Sequence, residues 1–197
     1  MEKKHKQTGV KALIIGIVLM CLVLGYYFYL SQKVKADRQE EMVKVSAVQE
    51  VLLRNLETNY PPTPREVVKT YCNIAQCLHN ETYSDEEFLQ LAYKIEMLYD
   101  EELIANNMQE QYLLDLKSDI EEFSSQGIVI SSYQYTSSTD VEEFKQDGYS
   151  WARLYVTFNL RKGTQLTSTK EIFLLRKDEA GHWKIYGWEL ADQADNN

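Results

Sequence analysis

Few side chains in this chain could do chemistry, and their spacing matches no catalytic arrangement. There is no Gly-rich phosphate loop, no Gly-x-Ser-x-Gly elbow, no His-Glu-x-x-His and no Cys-x-x-Cys. His182 directly follows the Ala180-Gly181 turn, which reads as an exposed histidine at the start of a strand. His79 stands at a helix end beside Asn80, where a cation complements the helix dipole without any catalytic role. Cys72 and Cys77 are five residues apart on one predicted helix, about 140° around its axis, so a regular helix cannot bridge them. They read as small buried hydrophobes.

Two further groups of residues suggest binding rather than catalysis. Residues 81–143 hold sixteen acids against only Lys94 and Lys117, densest at Asp100-Glu101-Glu102 and Asp119-Ile120-Glu121-Glu122. The loop spacing that would converge oxygens on calcium is missing. The acids therefore read as solvated helix faces, with docking of a basic partner as the functional alternative. The strands carry Tyr133, Tyr135, Trp151, Tyr155, Trp183, Tyr186 and Trp188, which must either fill a core or contact a partner or ligand. Asn80-Glu81-Thr82 is a glycosylation sequon, meaningful only in a eukaryotic secretory pathway. Neither a cofactor nor a metal is expected, and the chain does not read as an enzyme.

The elements that position these residues begin with a membrane segment. No charge occurs from Ala12 to Gln32, and apolar residues cover every face of that stretch. A helix rising about 1.5 Å per residue would cross a hydrocarbon core of about 30 Å with this length. Lys11 and Lys33 bracket it, and Tyr26, Tyr27, Phe28 and Tyr29 supply the aromatic belt where it leaves the lipid. Lys3, Lys4, Lys6 and Lys11 against Glu2 alone place the N-terminus in the cytoplasm, with the rest of the chain outside it. A cleaved signal peptide, with Val34-Lys35-Ala36 as its site, is the competing reading. The apolar run exceeds the usual h-region of about 7–15 residues, which favours a retained anchor.

The expected organisation is a cytoplasmic tail over 1–11, a transmembrane helix over 12–32, and a juxtamembrane stalk helix with a Pro hinge over 33–62. An extracytoplasmic domain over 63–190 and a tail over 191–197 complete the chain. The stalk shows a thin apolar stripe at Met42, Val45, Val48, Leu52 and Leu56, too short for a secure coiled coil. Tyr60-Pro61-Pro62-Thr63-Pro64 breaks it, since each proline restricts the residue before it and lacks an amide donor. Thr63 with Pro64 and Glu66, Ser84 with Glu87, and Asn107 with Glu110 are three helix starts within 64–126. After Gly127 the apolar period becomes two, giving strands near 128–136, 149–160, 166–176 and 182–190. Helices followed by an antiparallel meander form an α+β pattern: three helices on a curved sheet of about four strands.

At 197 residues with 44% apolar and 26% charged residues, the chain has room for one modest folded domain. A net charge of −9 argues against nucleic acid, whose phosphates need a concentrated Lys/Arg surface. Thr-Pro-Arg-Glu-Val-Val-Lys-Thr-Tyr at 63–71, together with a meander closing on Gly181-His182-Trp183-Lys184-Ile185, resembles the nuclear-transport-factor-2-like (cystatin-like) superfamily. The anchor and the Tyr-Pro-Pro-Thr-Pro-Arg-Glu start are similar to membrane-anchored proteins of Gram-positive gut bacteria. That resemblance implies a cone-like fold serving as an assembly module, a ligand binder or, less often, an enzyme. It is also similar in plan to the inner-membrane component of type IV secretion systems. The expected function is thus a membrane-anchored, extracytoplasmic, non-catalytic interaction module with a protein partner or a second copy. Binding of a small molecule or lipid in the cone is the alternative. Membranes washed at alkaline pH should retain the intact chain on an immunoblot; a shortened soluble form would show that 12–32 is a cleaved signal.

Overall fold

The computed structural model describes residues 46–106 and 109–191. The expected tail and anchor, with Lys11, Tyr26, Tyr27, Phe28, Tyr29 and Lys33, lie outside the described residues, as do Asn107 and residues 192–197. No helix among the described residues is long and apolar enough to cross a membrane.

Local capping signals set the helix starts. Helix α1 (Ala47–Leu53) opens on Ser46, whose side chain and that of Gln49 cap each other's backbone amides. Helix α2 (Pro64–Asn80) opens on Thr63, whose hydroxyl accepts from the Glu66 amide at 3.2 Å, with Pro64 in the first turn where its missing N–H costs nothing. Helix α3 (Asp85–Glu96) has the Ser84–Glu87 capping box. The apolar faces of α2 and α3 then bury Val67, Val68, Cys72, Ile74, Leu78, Leu91 and Ile95.

Two expectations for the N-terminal half need correcting. From Ser46 on, the residues assigned to a stalk belong to the folded body, because Val48, Val51 and Leu56 join its core. The Tyr-Pro-Pro segment is tied down rather than hinge-like. Pro61 is buried, the Tyr60 hydroxyl donates to the Trp183 carbonyl at 2.9 Å, and the Tyr60 ring lies 4.5 Å from that of His182. Proline stiffness here fixes a path along the domain.

After α3 the chain does not enter the next helix directly. Residues Leu98 to Asp100 run beside the last strand, where Ile185 donates to the Leu98 carbonyl and Asp100 donates to the Ile185 carbonyl, each at 2.8 Å. A short helix α4 (Glu101–Ala105) follows, N-capped by Asp100, and then α5 (Gln109–Ser125). Beyond the expected three helices, α4 is new, while α1 falls within the segment expected to form the stalk helix.

The sheet has five strands rather than about four: β1 (Ile128–Tyr135), β2 (Glu142–Gln146), β3 (Tyr149–Lys162), β4 (Gln165–Lys177) and β5 (Trp183–Leu190). All strand pairs are antiparallel, in the order β1-β3-β4-β5, with β2 also on β3. The unexpected strand β2 has one apolar residue, Phe144, and owes its place to the turn that follows. Asp147 and Gly148 have φ of 52° and 85°, the positive pair that an Asp-Gly hairpin turn requires. Strand β1 is sealed at Ile130, whose amide donates to Asn80 Oδ1 at 2.9 Å and whose carbonyl accepts from Asn80 Nδ2 at 2.8 Å and Gln76 Nε2 at 2.9 Å. The ladder is irregular there, between Ile130 and Ser132, so side chains of α2 satisfy backbone groups that the bulge leaves unpaired.

The alternation expected for β3 is observed. Ala152, Leu154, Val156 and Phe158 are buried, and with Phe173, Leu175, Trp183 and Ile185 they form the inner face against α2 and α3. Phe173 lies at the centre of this face, fully buried, whereas Leu166 near the other end of β4 is 73% exposed. Denaturant unfolding of Phe173→Ala should show a loss of about 3–5 kcal/mol, while Leu166→Ala should stay within about 0.5 kcal/mol of the parent.

Candidate functional site

The outer face of the sheet is organised around Arg176. Strand register sets it opposite Trp151 on β3 and Lys184 on β5. Its Nε and Nη2 donate to the two carboxylate oxygens of Asp100 at 2.9 and 2.6 Å, and Nη1 donates to Glu102 Oε1 at 2.7 Å. Its guanidinium carbon lies 4.8, 5.0 and 5.7 Å from the ring centroids of Tyr149, Tyr186 and Trp151. The Tyr186 hydroxyl completes the group by donating to Glu102 Oε2 at 3.0 Å. Hydrogen bonding to Asp100 holds the guanidinium proton above its ordinary range, and hydrogen bonds from Arg176 and Tyr186 hold the Glu102 carboxyl below its own. With both carboxylates engaged, this arginine works as a clasp between α4 and the sheet, and no donor fork remains for an incoming anion.

The seven aromatic residues singled out in the sequence fall into separate environments. Trp151 and Tyr186 meet edge-on at 5.0 Å beside Arg176. Tyr155 lies further along the same face with Lys170 Nζ 4.4 Å from its ring centroid. Tyr133 and Tyr135 turn to the helix layer, where the Tyr133 hydroxyl donates to Asn73 Oδ1 and Arg65 covers the Tyr135 ring at 4.5 Å. Trp183 is buried in the core. Trp188 belongs to the inner face.

The remaining candidates are accounted for locally. His182 is exposed beside Asp178, 3.7 Å away. His79 is partly buried under Phe123, its ring 4.6 Å away, and burial lowers its proton affinity against the pull of Asp119. Cys72 and Cys77 are buried free thiols. Burial raises both, Cys77 to about 11, so neither supplies a thiolate. Among the described residues no group of three metal-ligating side chains comes together.

One cluster escaped the sequence reading. Glu171 pairs across the ladder with Val156 and Leu190, and Val156 is fully buried, so Glu171 faces inward among apolar neighbours. It sits next to Trp188, whose strand partner is Phe173. Trp188 stacks on Tyr99 at 5.6 Å and Phe173 at 6.2 Å and tilts against Tyr71 at 5.7 Å. Tyr112 meets Tyr99 edge-on at 6.0 Å. The Tyr99 hydroxyl interacts with those of Tyr71 and Tyr112, but the buried Tyr112 hydroxyl falls short of hydrogen-bond geometry with any partner. Glu171 has no ion-pair or hydrogen-bond partner among the described residues, and loss of solvent alone pushes its carboxyl up to about 7. The signal that could have exposed it is parity: a charged residue two positions before Phe173 and four before Leu175 shares their inward face.

Chemically, the inner cluster packs its aromatic rings on one another beside one half-buried carboxyl whose proton affinity burial raises, while the outer cluster offers a rigid aromatic and cationic surface. Together they define an α+β domain with helices on one side of an antiparallel sheet and an open, patterned face on the other. The chain belongs to the family described as a domain of unknown function, DUF6715, whose model matches residues 1–188. No curated protein matches it.

An acid whose folded pKa lies above its unfolded value binds its proton more tightly when folded. Its stabilising share is therefore complete below about pH 4.5 and is lost as the pH rises to about 7. Glu171→Gln should be more stable than the parent by about 1–3 kcal/mol at pH 8 and by much less at pH 5, as read by urea unfolding at both values.

Proposed function

We propose that this chain is a single-pass protein of the bacterial cell membrane, anchored by residues 12–32 with its N-terminus in the cytoplasm. Its domain is then a non-catalytic interaction or assembly module outside the cytoplasm. The antiparallel sheet with helices on one face supports placing that domain in the nuclear-transport-factor-2-like superfamily. The family match runs through the apolar segment and the domain alike, which supports reading them as one working unit.

The observation that carries this reading is the outer face of the sheet. Trp151, Tyr155, Ile172, Leu174 and Tyr186 alternate there with Arg153, Lys170 and Arg176, and all of the apolar and aromatic members remain half-buried rather than buried. Rigid aromatic rings held by cations are what interface hot spots are made of. A protein partner or a second copy of the chain would bury them.

A photo-crosslinking residue placed at Tyr155 of the full-length protein in intact membranes should trap a discrete protein adduct, identified by mass spectrometry. The same probe at Leu114, exposed on α5, should trap much less. Monomer alone from Tyr155 would overturn the assignment.

A further inference from the structure

We propose that the free edge of β4 between Gln165 and Thr169 takes up an extended acidic segment of a partner protein as an added strand. This edge is separate from the outer face of the sheet, and the inference rests neither on that surface nor on membrane anchoring.

Strand β4 outruns its neighbour. β3 pairs with it without a break from Arg176 to Gln165, whereas β5 pairs only from Lys177 to Glu171 and ends at Leu190. The Ala191 amide donates to the Lys170 carbonyl at 2.8 Å, so the backbone of Lys170 faces the lane of β5. Residues two apart in an antiparallel strand share that direction, which turns the N–H and C=O groups of Ser168 and Leu166 into the same lane. Among the described residues nothing pairs with those groups. Elsewhere the fold guards its edges: Asn80 and Gln76 cover β1 at Ile130, Leu98 to Asp100 cover β5 at Ile185, and β2 carries three charges in five residues. The stretch Gln165-Leu166-Thr167-Ser168-Thr169 has no charge, no proline and no bulge, and Leu166 is 73% exposed. A regular, unguarded edge of this kind is a template for strand addition.

Charge selects the occupant. Arg161 lies opposite Leu166 and Lys162 opposite Gln165, and Lys170 closes the stretch at its other end. None of these three cations has an ion pair among the described residues. No acid occurs from Asn159 to Lys170, and the nearest acids in the ladder, Glu171 and Glu189, lie beyond Lys170 toward β5. A second copy offering the same edge would set like charges against one another. An acidic strand would instead meet opposite charges while its backbone pairs with Leu166 and Ser168. The backbone supplies the affinity in this mode, and the three cations supply the preference for acids.

The test uses the full-length protein in neutral maltoside micelles and a fluorescein-labelled acidic strand peptide, Glu-Thr-Glu-Val-Glu-Thr, read by fluorescence anisotropy. The peptide should bind and slow amide exchange at Leu166 and Ser168, while Thr167 and Thr169, already paired with β3, change little. The same peptide with its amides N-methylated should not bind, and its lysine analogue should bind at least about tenfold more weakly. Ser168→Pro removes an outward N–H that the β3 ladder does not use, so it should weaken binding about tenfold, whereas Ser168→Ala should match the parent. Lys170→Glu leaves every backbone group in place and should weaken binding about threefold or more at low salt, and less at high salt. A chain ending at Ala191 should bind the peptide as the parent does. A gain of about tenfold in that truncated chain would make residues 192–197 the occupant and overturn the proposal. Absence of binding, equal binding of the lysine or N-methylated peptide, or undiminished affinity in Ser168→Pro would overturn it as well.

Discussion

The structure depends on the ion pair between Asp100 and Arg176. Asp100 is 4% exposed and Arg176 12%, so neither charge has much water to fall back on; Asp100 is acceptable inside because Arg176 is there, and Arg176 because Asp100 takes two of its donors and the more exposed Glu102 a third. The pair joins residues 76 apart in sequence. It lies where the chain leaves the helical layer and touches the edge of β5 through the two backbone bonds at Ile185. Asp100 also caps α4, accepting from the Glu102 amide at 3.0 Å. One carboxylate thus orients a helix start, neutralises an arginine and fixes the edge of the sheet.

From that clasp the two faces of the sheet take different characters. On the inner side, burial of Leu154, Val156, Phe173, Leu175 and Ile185 against α2 and α3 supplies most of the driving force. On the outer side, Arg176 holds Tyr149, Trp151 and Tyr186 in fixed positions around one guanidinium, so those rings lose little further freedom if a partner covers them. The inner face has one irregularity, the unpaired Glu171, which sits mid-way along β4 and opposite the last residue of β5. A rigid outer surface and an uncompensated inner carboxyl are compatible because different residues of β4 serve each, Arg176 near one end facing out and Glu171 at mid-strand facing in.

Much of this was legible locally. The capping signals at Thr63-Pro64 and Ser84-Glu87 and the alternation from Ala152 to Phe158 depend on neighbours in sequence, and the structure follows them. Strand β2 was hidden because Glu142-Glu143-Phe144-Lys145-Gln146 has the composition of a loop; its pairing is imposed by the Asp147-Gly148 turn and by an already formed β3. The clasp could not be read at all, since Asp100 looked like one acid in a run of three and its partner is fixed only by the fold. Tyr60 and the prolines were read as a hinge because proline stiffness is a local property, while the contact that makes the segment part of the body, Tyr60 with Trp183, is not. Glu171 was readable in principle from strand parity, yet a lone glutamate in a strand carries little weight until Val156 is known to be opposite it.

The most direct test of this account is a double-mutant cycle between Asp100→Ala and Arg176→Ala, followed by denaturant unfolding. Arg176→Ala strands the buried Asp100 carboxylate, and Asp100→Ala leaves Arg176 only the more exposed Glu102, so each should be strongly destabilised, whereas the double variant leaves no buried charge. The predicted result is a coupling energy of about 2–3 kcal/mol, with the double variant far more stable than the sum of the singles implies. Additivity within about 0.5 kcal/mol would contradict it, and would mean that the sheet edge and the outer aromatic face are held by something other than this pair.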